Sequence, residues 1–282
     1  MPRKCYVDIT QAQPEQCAAL LALAECVECD SFGSESLRQE LRLAYDSAGG
    51  WNLYLPNNKV SAAGQSKVAV DYAQPSFARR LEAGNLNREF AVRAVRGRKK
   101  SDYQPLVLDA TAGFGRDSFL LAASGCHVVQ AERIPVLAYL LEQALKSGVR
   151  HSCNRQALAA QRCRVVCGDS AALMADWQGP APDIIYLDPM YLDPNKPAAQ
   201  GLKASAGVKK NMRALQLLTE IYEENYPAAV KAESNQALFA AATSLALSKV
   251  VVKRAPSAPV LAGMQPSSCL TGKAARFDVY AL

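Results

Sequence analysis

The sequence predicts an α/β protein: a mostly parallel sheet with helices on both faces, preceded by a small α/β unit of its own. Three observations predict it. Apolar strand-length runs alternate with helix-length runs from Leu106 onward. A glycine-containing turn, Ala112-Gly113-Phe114-Gly115, joins the first of these strands to a helix. Carboxylates stand at the ends of successive strands, where ligands of open α/β sheets bind. A chain of 282 residues can bury one substantial core and a smaller satellite, and the natural division is an accessory unit at 1–76 and a main domain at 77–282.

In the first unit, residues 3–9 read as a strand and 14–28 as an Ala/Leu-rich helix. A second helix is expected at 34–47, because Leu37, Leu41 and Tyr45 recur every four residues. Strands follow at 51–55, 58–62 and 67–72, parted by the turn signals Pro56-Asn57-Asn58 and Gly64-Gln65-Ser66. A basic helix spans 77–100. The alternation then begins, with strand 106–109, helix 117–124, strand 126–131, helix 134–147, strand 163–168, helix 170–177 and strand 183–187. After a long loop come helices 208–224 and 233–247 and strand 249–253. Strands at 268–271 and 276–281 close the chain as an antiparallel pair.

Composition removes several classes. Half of the residues are apolar and 21% are charged, as in a globular protein. No apolar run reaches the ~18 residues of a membrane span. The segment MPRKCYVDIT has no apolar signal-peptide core, so a cytoplasmic location is expected and the nine cysteines should be reduced. Only His127 and His151 could join cysteines as metal ligands, at no finger-like spacing, so no metal is expected. Charge is uneven. Residues 77–100 carry Arg79, Arg80, Arg88, Arg93, Arg96, Arg98, Lys99 and Lys100 against Glu82 and Glu89, a net +6 equal to the formal charge of the whole chain. Such clustering is the footprint of a polyanion partner, although a solvated helix face would look the same.

The stretch Leu106-Val107-Leu108-Asp109-Ala110-Thr111-Ala112-Gly113-Phe114-Gly115-Arg116-Asp117 is a strand, a tight turn that lets backbone approach a ligand, and a helix start. Glu132 lies 19 residues after Gly113, at the end of the next strand, where a carboxylate accepts hydrogen bonds from ribose hydroxyls. A nicotinamide dinucleotide fits poorly: Ser118 occupies the place of the third glycine, and Asp109 and Asp117 put negative charge where a diphosphate would sit. A sulfonium ligand with an amino-acid moiety is cationic and suits these carboxylates. Asp169, after the third strand, is placed to contact an adenine amino group.

The fourth strand runs into Tyr186-Leu187-Asp188-Pro189-Met190-Tyr191. This resembles the (Asp/Asn/Ser)-Pro-Pro-(Tyr/Phe/Trp) motif of amino-group methyltransferases, with Met190 in place of the second proline. A base amino group is a poor nucleophile because its lone pair is delocalised into the ring. Asp188 and the Pro189 carbonyl can accept its two N–H bonds and favour a pyramidal nitrogen, while Tyr191 can stack on the base for ~1–3 kcal/mol. Asp-Pro is also an ordinary turn starter. The loop 192–213 carries Lys196, Lys203, Lys209, Lys210 and Arg213 against Asp193 alone, a charge suited to gripping phosphates.

Together DATAGFGRDSF (109–119), AER (131–133), YLDPMY (186–191), VKKNMR (208–213), VVVKR (250–254) and RFDVY (276–280) resemble the bacterial small-subunit ribosomal RNA guanine-N2 methyltransferases of the RsmJ family. The resemblance implies a class I, Rossmann-like methyltransferase fold with a seven-stranded, mostly parallel sheet. It further implies S-adenosyl-L-methionine as donor, S-adenosyl-L-homocysteine as product, and N2-methylguanosine formation near the 3′ end of 16S rRNA. Carried over by position, Arg116, Asp117, Glu132, Arg133, Asp169, Ser170 and Asp188 would contact the donor, beside Asp109 and Gly113 of the strand and glycine turn read above. Asp188, Pro189 and Tyr191 would serve the target base, and Arg79, Arg80, Arg88, Lys196, Lys203, Lys209, Lys210 and Arg213 would bind 16S rRNA, naked or within the small subunit. The family's glycine-rich upstream run appears here as Leu81-Glu82-Ala83-Gly84-Asn85, and the loop after Tyr191 and the N-terminal unit are longer. Residues alone leave open a DNA adenine-N6 methyltransferase, a protein glutamine-N5 methyltransferase, a dehydrogenase, and a non-catalytic RNA-binding assembly factor.

Overall fold

A computed structural model describes residues 2–10, 12, 14–29, 40–46, 50–56, 66–97, 102–150, 154–189, 206–227 and 235–282. Its strands are β1 (Cys5–Asp8), β2 (Cys26–Cys29), β3 (Leu41–Asp46), β4 (Gly50–Tyr54), β5 (Lys67–Ala69), β6 (Leu106–Asp109), β7 (His127–Glu132), β8 (Cys163–Cys167), β9 (Ile184–Leu187), β10 (Lys249–Arg254), β11 (Ser268–Thr271) and β12 (Arg276–Ala281). Its longer helices are α1 (Pro14–Leu21), α2 (Arg116–Ala123), α3 (Pro135–Arg150), α4 (Asn154–Gln161), α5 (Ser170–Ala175), α6 (Ala206–Asn225) and α7 (Asn235–Leu245). Contacts divide the chain into two units, one of Met1–Asp71, Ile134–Ala144 and Ala199–Ala232, the other of Tyr72–Arg133, Leu145–Ala198 and Glu233–Leu282.

The first unit is built on a five-stranded sheet of order β2-β1-β3-β4-β5. β1 pairs in parallel with β2 and β3, and the β3-β4-β5 steps are antiparallel. Glu25, fully buried, accepts a hydrogen bond from the backbone N–H of Val136 at 3.0 Å and from the Tyr226 hydroxyl at 2.5 Å. A carboxylate at the first turn of α3 complements the positive end of that helix. Trp51 meets Tyr45 and Tyr139 edge-on, with ring centroids 5.5 and 6.4 Å apart.

Two expectations for this unit are corrected. The helix expected at 34–47 is strand β3 over its described part, because a four-residue spacing also places Leu41 and Tyr45 on one face of a strand of period two. The expected helix 14–28 ends at Leu21, and Cys26–Cys29 turns into β2. The strand expected at 58–62 lies outside the described residues.

The second unit carries a seven-stranded sheet of order β11-β12-β10-β9-β6-β7-β8. The five strands β10, β9, β6, β7 and β8 pair in parallel, and β12 is antiparallel to β10 and to β11. The expected terminal antiparallel pair is therefore present. The central strand β9 is apolar throughout, and its Ile184, Ile185, Tyr186 and Leu187 are all fully buried, as a parallel strand covered on both faces must be. One packed layer joins Leu108, Val129, Ile185, Val250 and Val252 to Phe239, Ala242 and Met174. On another, Tyr72 stacks on Phe119 with centroids 4.0 Å apart, an aromatic pair that contributes ~0.5–1.5 kcal/mol beyond its area.

The single basic helix expected at 77–100 is broken into short helical turns at Pro75–Ala78, Arg79–Leu81, Ala83–Leu86 and Phe90–Arg96. Glu82 and Glu89 have extended backbone at the junctions. Helix α4 was not expected; it is short, and the glutamines of its Asn-Arg-Gln-Ala-Leu-Ala-Ala-Gln sequence dilute the apolar face. Among the described residues no helix is long and apolar enough to cross a membrane, no disulfide joins cysteines, and no group of three or more His, Cys, Asp or Glu could hold a metal ion.

Candidate active site

The parallel strands of the second unit bring four carboxylates to one edge of the sheet. Asp109 and Glu132 are the last residues of β6 and β7, Asp169 follows β8 by two residues, and Asp188 immediately follows β9. The turn after β6 passes among them. Gly113 (φ 54°) and Gly115 (φ 65°) both adopt the left-handed conformation that favours glycine, and the turn folds back to open α2 at Arg116.

The carboxylates differ in what they face. Asp109 is turned inward: it is 2% exposed and accepts hydrogen bonds from the Ser118 hydroxyl and from the Thr111 N–H at 3.1 Å. Burial pushes its carboxyl up to about 7, against the lowering effect of those bonds. Its geometry organises the turn from below. Glu132 accepts the Gly113 N–H at 2.9 Å and so ties the end of β7 to the glycine turn. Asp169 caps α5 through Oδ1, which accepts the Ala172 N–H at 2.7 Å, while its Oδ2 is buried with no hydrogen-bond partner among the described residues. The Ser170 hydroxyl is committed to the Ala110 carbonyl at 2.6 Å. Arg116 and Arg133 are half-buried beside these strand ends, and burial together with nearby Arg80 lowers the Arg116 guanidinium below its ordinary value.

Asp188 and Asp117 belong to one network. The Asp188 N–H donates to the Thr111 hydroxyl at 2.5 Å, fixing the residue after β9 to the turn after β6. The Lys253 ammonium donates to Oδ2 of Asp117 and to Oδ2 of Asp188, each at 2.7 Å, and the buried Tyr186 hydroxyl donates to the same Asp117 oxygen at 2.7 Å. Burial would raise Asp117, yet Lys253, Tyr186 and Arg80 together hold it below its ordinary value. The Asp188 side chain stays 41% exposed, yet the protein atoms packed around it displace enough water to raise its carboxyl, the Lys253 charge only partly offsetting this and Asp117 adding to the rise. Burial opposes the charge on Lys253, but the two carboxylates hold its ammonium well above the ordinary value. Sequence reasoning missed Lys253, Tyr186 and Thr111. The only sequence signal for Lys253 was its place in VVVKR, a motif with no chemistry attached to it.

Of the remaining expected site residues, Pro189 is buried directly after Asp188. Arg79 and Arg88 are exposed, whereas half-buried Arg80 is held by Glu89 at 2.7 and 2.9 Å. Lys210 and Arg213 are exposed on α6, so this part of the expected loop is helical; Lys209 lies in the same helix. Tyr191, Lys196 and Lys203 lie outside the described residues.

These residues fit a cationic nucleoside donor. Asp169 Oδ2 is a buried acceptor without a partner among the described residues, which suits an adenine amine, Glu132 ends β7, a position from which a carboxylate can accept from ribose hydroxyls, and Asp117, Asp188 and Lys253 leave the network one negative charge in excess. A seven-stranded, mostly parallel sheet with this constellation at the strand ends defines a class I S-adenosylmethionine-dependent methyltransferase.

Comparison with known proteins gives the same answer. The family described as "Putative SAM-dependent methyltransferase" matches residues 36–282. The ribosomal RNA small subunit methyltransferase J of Pectobacterium atrosepticum is 37% identical over 256 residues, covering 89% of this chain and 94% of that one. Its counterpart in Pseudoalteromonas atlantica is 40% identical over 218 residues, 76% of each chain. A crystal structure of a SAM-dependent methyltransferase from Neisseria gonorrhoeae superposes with a TM-score of 0.65 at 27% identity, over 99% of this chain and 96% of that one. The chain belongs to the ribosomal RNA small subunit methyltransferase J family.

Proposed function

We propose that the protein transfers a methyl group from S-adenosyl-L-methionine to the exocyclic N2 of a guanosine near the 3′ end of 16S rRNA. The observation that carries this reading is the coupling of Asp188, first residue of the Asp-Pro motif, to the glycine turn through the 2.5 Å Thr111 bond. That bond sets an acceptor carboxylate, 41% exposed, beside a turn suited to the donor. The donor supplies an electrophilic methyl on a sulfonium. Glu132, Asp169, Arg116 and Asp117 hold it, with Gly113, Arg133 and the Asp109 and Ser170 contacts shaping the turn around it. Asp188 and the Pro189 carbonyl accept the two N–H bonds of the guanine amine, which frees its lone pair from the ring, and Tyr191 packs on the base. No general base is needed, because the amine sheds its proton readily once methylated.

Reaching a base in structured RNA requires unstacking it, and basic side chains must hold the backbone meanwhile. Arg79 and Arg88 and the segment carrying Lys196, Lys203, Lys209, Lys210 and Arg213 serve that role, with residues 77–282 as the catalytic domain, residues 1–76 as an accessory domain, and the cytoplasm as the site of action. The test is transfer of labelled methyl groups to 16S rRNA or small subunits from cells lacking the protein, comparing wild type with Asp188→Ala. Label recovered as N2-methylguanosine with wild type alone is expected, with RNA affinity falling as salt rises. Label on DNA or on a protein glutamine instead would overturn the substrate.

A further inference from the structure

We propose that Lys253 is a positioning residue for methyl transfer: its ammonium occupies one oxygen of Asp117 on the donor side and one of Asp188 on the acceptor side, so that each carboxylate keeps its other oxygen for a bound group. This rests on the reading above, in which Asp188 receives the target amine.

The placement comes from strand register. β10 runs parallel to β9, their last pair being Val252 with Leu187, so Lys253 of β10 and Asp188, the residue just past β9, stand one step beyond that pair. Asp117 comes from the first turn of α2. Both ion pairs end on Oδ2, at 2.7 Å, and among the described residues every side-chain hydrogen bond of Asp117 and of Asp188 falls on Oδ2, none on Oδ1. One nitrogen at which two carboxylates converge suits an ammonium, a point charge with three rotatable donors, better than the planar fork of a guanidinium.

The arrangement also settles a charge problem. Asp188 faces Lys253 and Arg254 of β10, Asp117 of α2, Tyr186 of β9 and Asp109 of β6, and Asp117 further feels Arg80. Without Lys253, two carboxylates would confront each other with a third behind them, and such groups share a proton instead of both ionising. A protonated Asp188 would offer its O–H to the nitrogen lone pair that must attack the methyl group. Lys253 keeps that oxygen an acceptor.

The experiment compares wild type with Lys253→Gln, Lys253→Met and Lys253→Arg, each checked for a native near-UV spectrum. Carbon-13 spectra of aspartate-labelled, donor-free protein give the Asp188 titration directly, its resonance identified by loss in Asp188→Asn. Loss of the charge in either neutral variant should move the midpoint up by roughly 1–3 pH units, with the acid limb of kcat moving the same way. Lys253→Arg should leave the midpoint near wild type yet lower kcat by up to ~10²-fold through misplacement, with little change in KM for RNA. An Asp188 midpoint unmoved in the neutral variants, with only the melting temperature reduced, would overturn the proposal. Failure of wild type to methylate any ribosomal RNA would count against the substrate reading alone, since the titration needs no substrate.

Discussion

Replacing Asp109 by Asn should make the protein more stable at alkaline pH. Asp109 is buried at the end of β6, and its carboxyl is raised from an ordinary value of 3.8 to about 7, chiefly by burial. The folded state therefore holds this proton more tightly than the unfolded chain. The associated stability is fully present below about pH 4 and is lost as pH rises through about 7, with a slope near 1.4 kcal/mol per pH unit inside that window. The whole window amounts to about 4 kcal/mol, and about 2 kcal/mol of it falls between about pH 5.5 and pH 8. Asn keeps an acceptor for the Thr111 N–H and offers an N–H₂ to the Ser118 oxygen, without a charge to desolvate. Urea unfolding of wild type and Asp109→Asn at both pH values, followed by far-UV circular dichroism, measures the difference with all other titrations cancelling. The gap in favour of Asn should widen by about 2 kcal/mol from the acidic to the alkaline condition. Parallel pH profiles for the two proteins would refute the argument, since they would mean that Asp109 titrates alike in folded and unfolded states.

Glu132→Gln keeps an acceptor for the Gly113 N–H but loses the charge offered to ribose hydroxyls, so S-adenosylhomocysteine affinity should fall by ~10–100-fold in titration calorimetry. An unchanged affinity would remove Glu132 from the donor site. Thr111→Val strips the Asp188 N–H of its acceptor, at about 1–3 kcal/mol. Single-turnover methyl transfer should slow by ~10–100-fold while S-adenosylhomocysteine affinity stays within about threefold, and an equal loss in both would point to collapse of the turn instead. In the first unit, Glu25→Ala orphans both the Val136 N–H and the Tyr226 hydroxyl, and urea unfolding should show a loss of about 3 kcal/mol. A loss below about 1 kcal/mol would mean that water replaces the carboxylate there.

From Leu106 to Leu187 the order of strands and helices was legible in the chain, α4 excepted, because each strand is a short apolar run and each longer helix has a wide apolar face, both local properties. So was the edge where chemistry gathers, because the C-terminal end of every parallel strand points to the same side of the sheet. Four carboxylates read from one dimension, Asp109, Glu132, Asp169 and Asp188, arrive at that edge together. The sequence also carried the family, through short motifs whose combination is specific even where each alone is common.

Other features had no local signature. Leu41 and Tyr45 satisfy a helix and a strand equally, and pairing with β1 and β4 selects the strand. The basic run after Phe77 looks like one exposed stripe, yet folding breaks it into short turns and commits Arg80 to Glu89. Asp109 and Asp188 look alike in sequence, both following an apolar strand, but one is enclosed under the turn and the other opens beside it, because burial depends on what packs above a residue. Lys253 is 136 residues from Asp117 and 65 from Asp188. Those three charges meet only because the β9-β10 register and the direction of α2 bring them within 2.7 Å contacts. Hydrophobic period and turn chemistry are properties of a segment and survive in the sequence. Which ionised groups share a site, and which of them keeps an open oxygen, is a property of packed neighbours, and only the tertiary structure decides it.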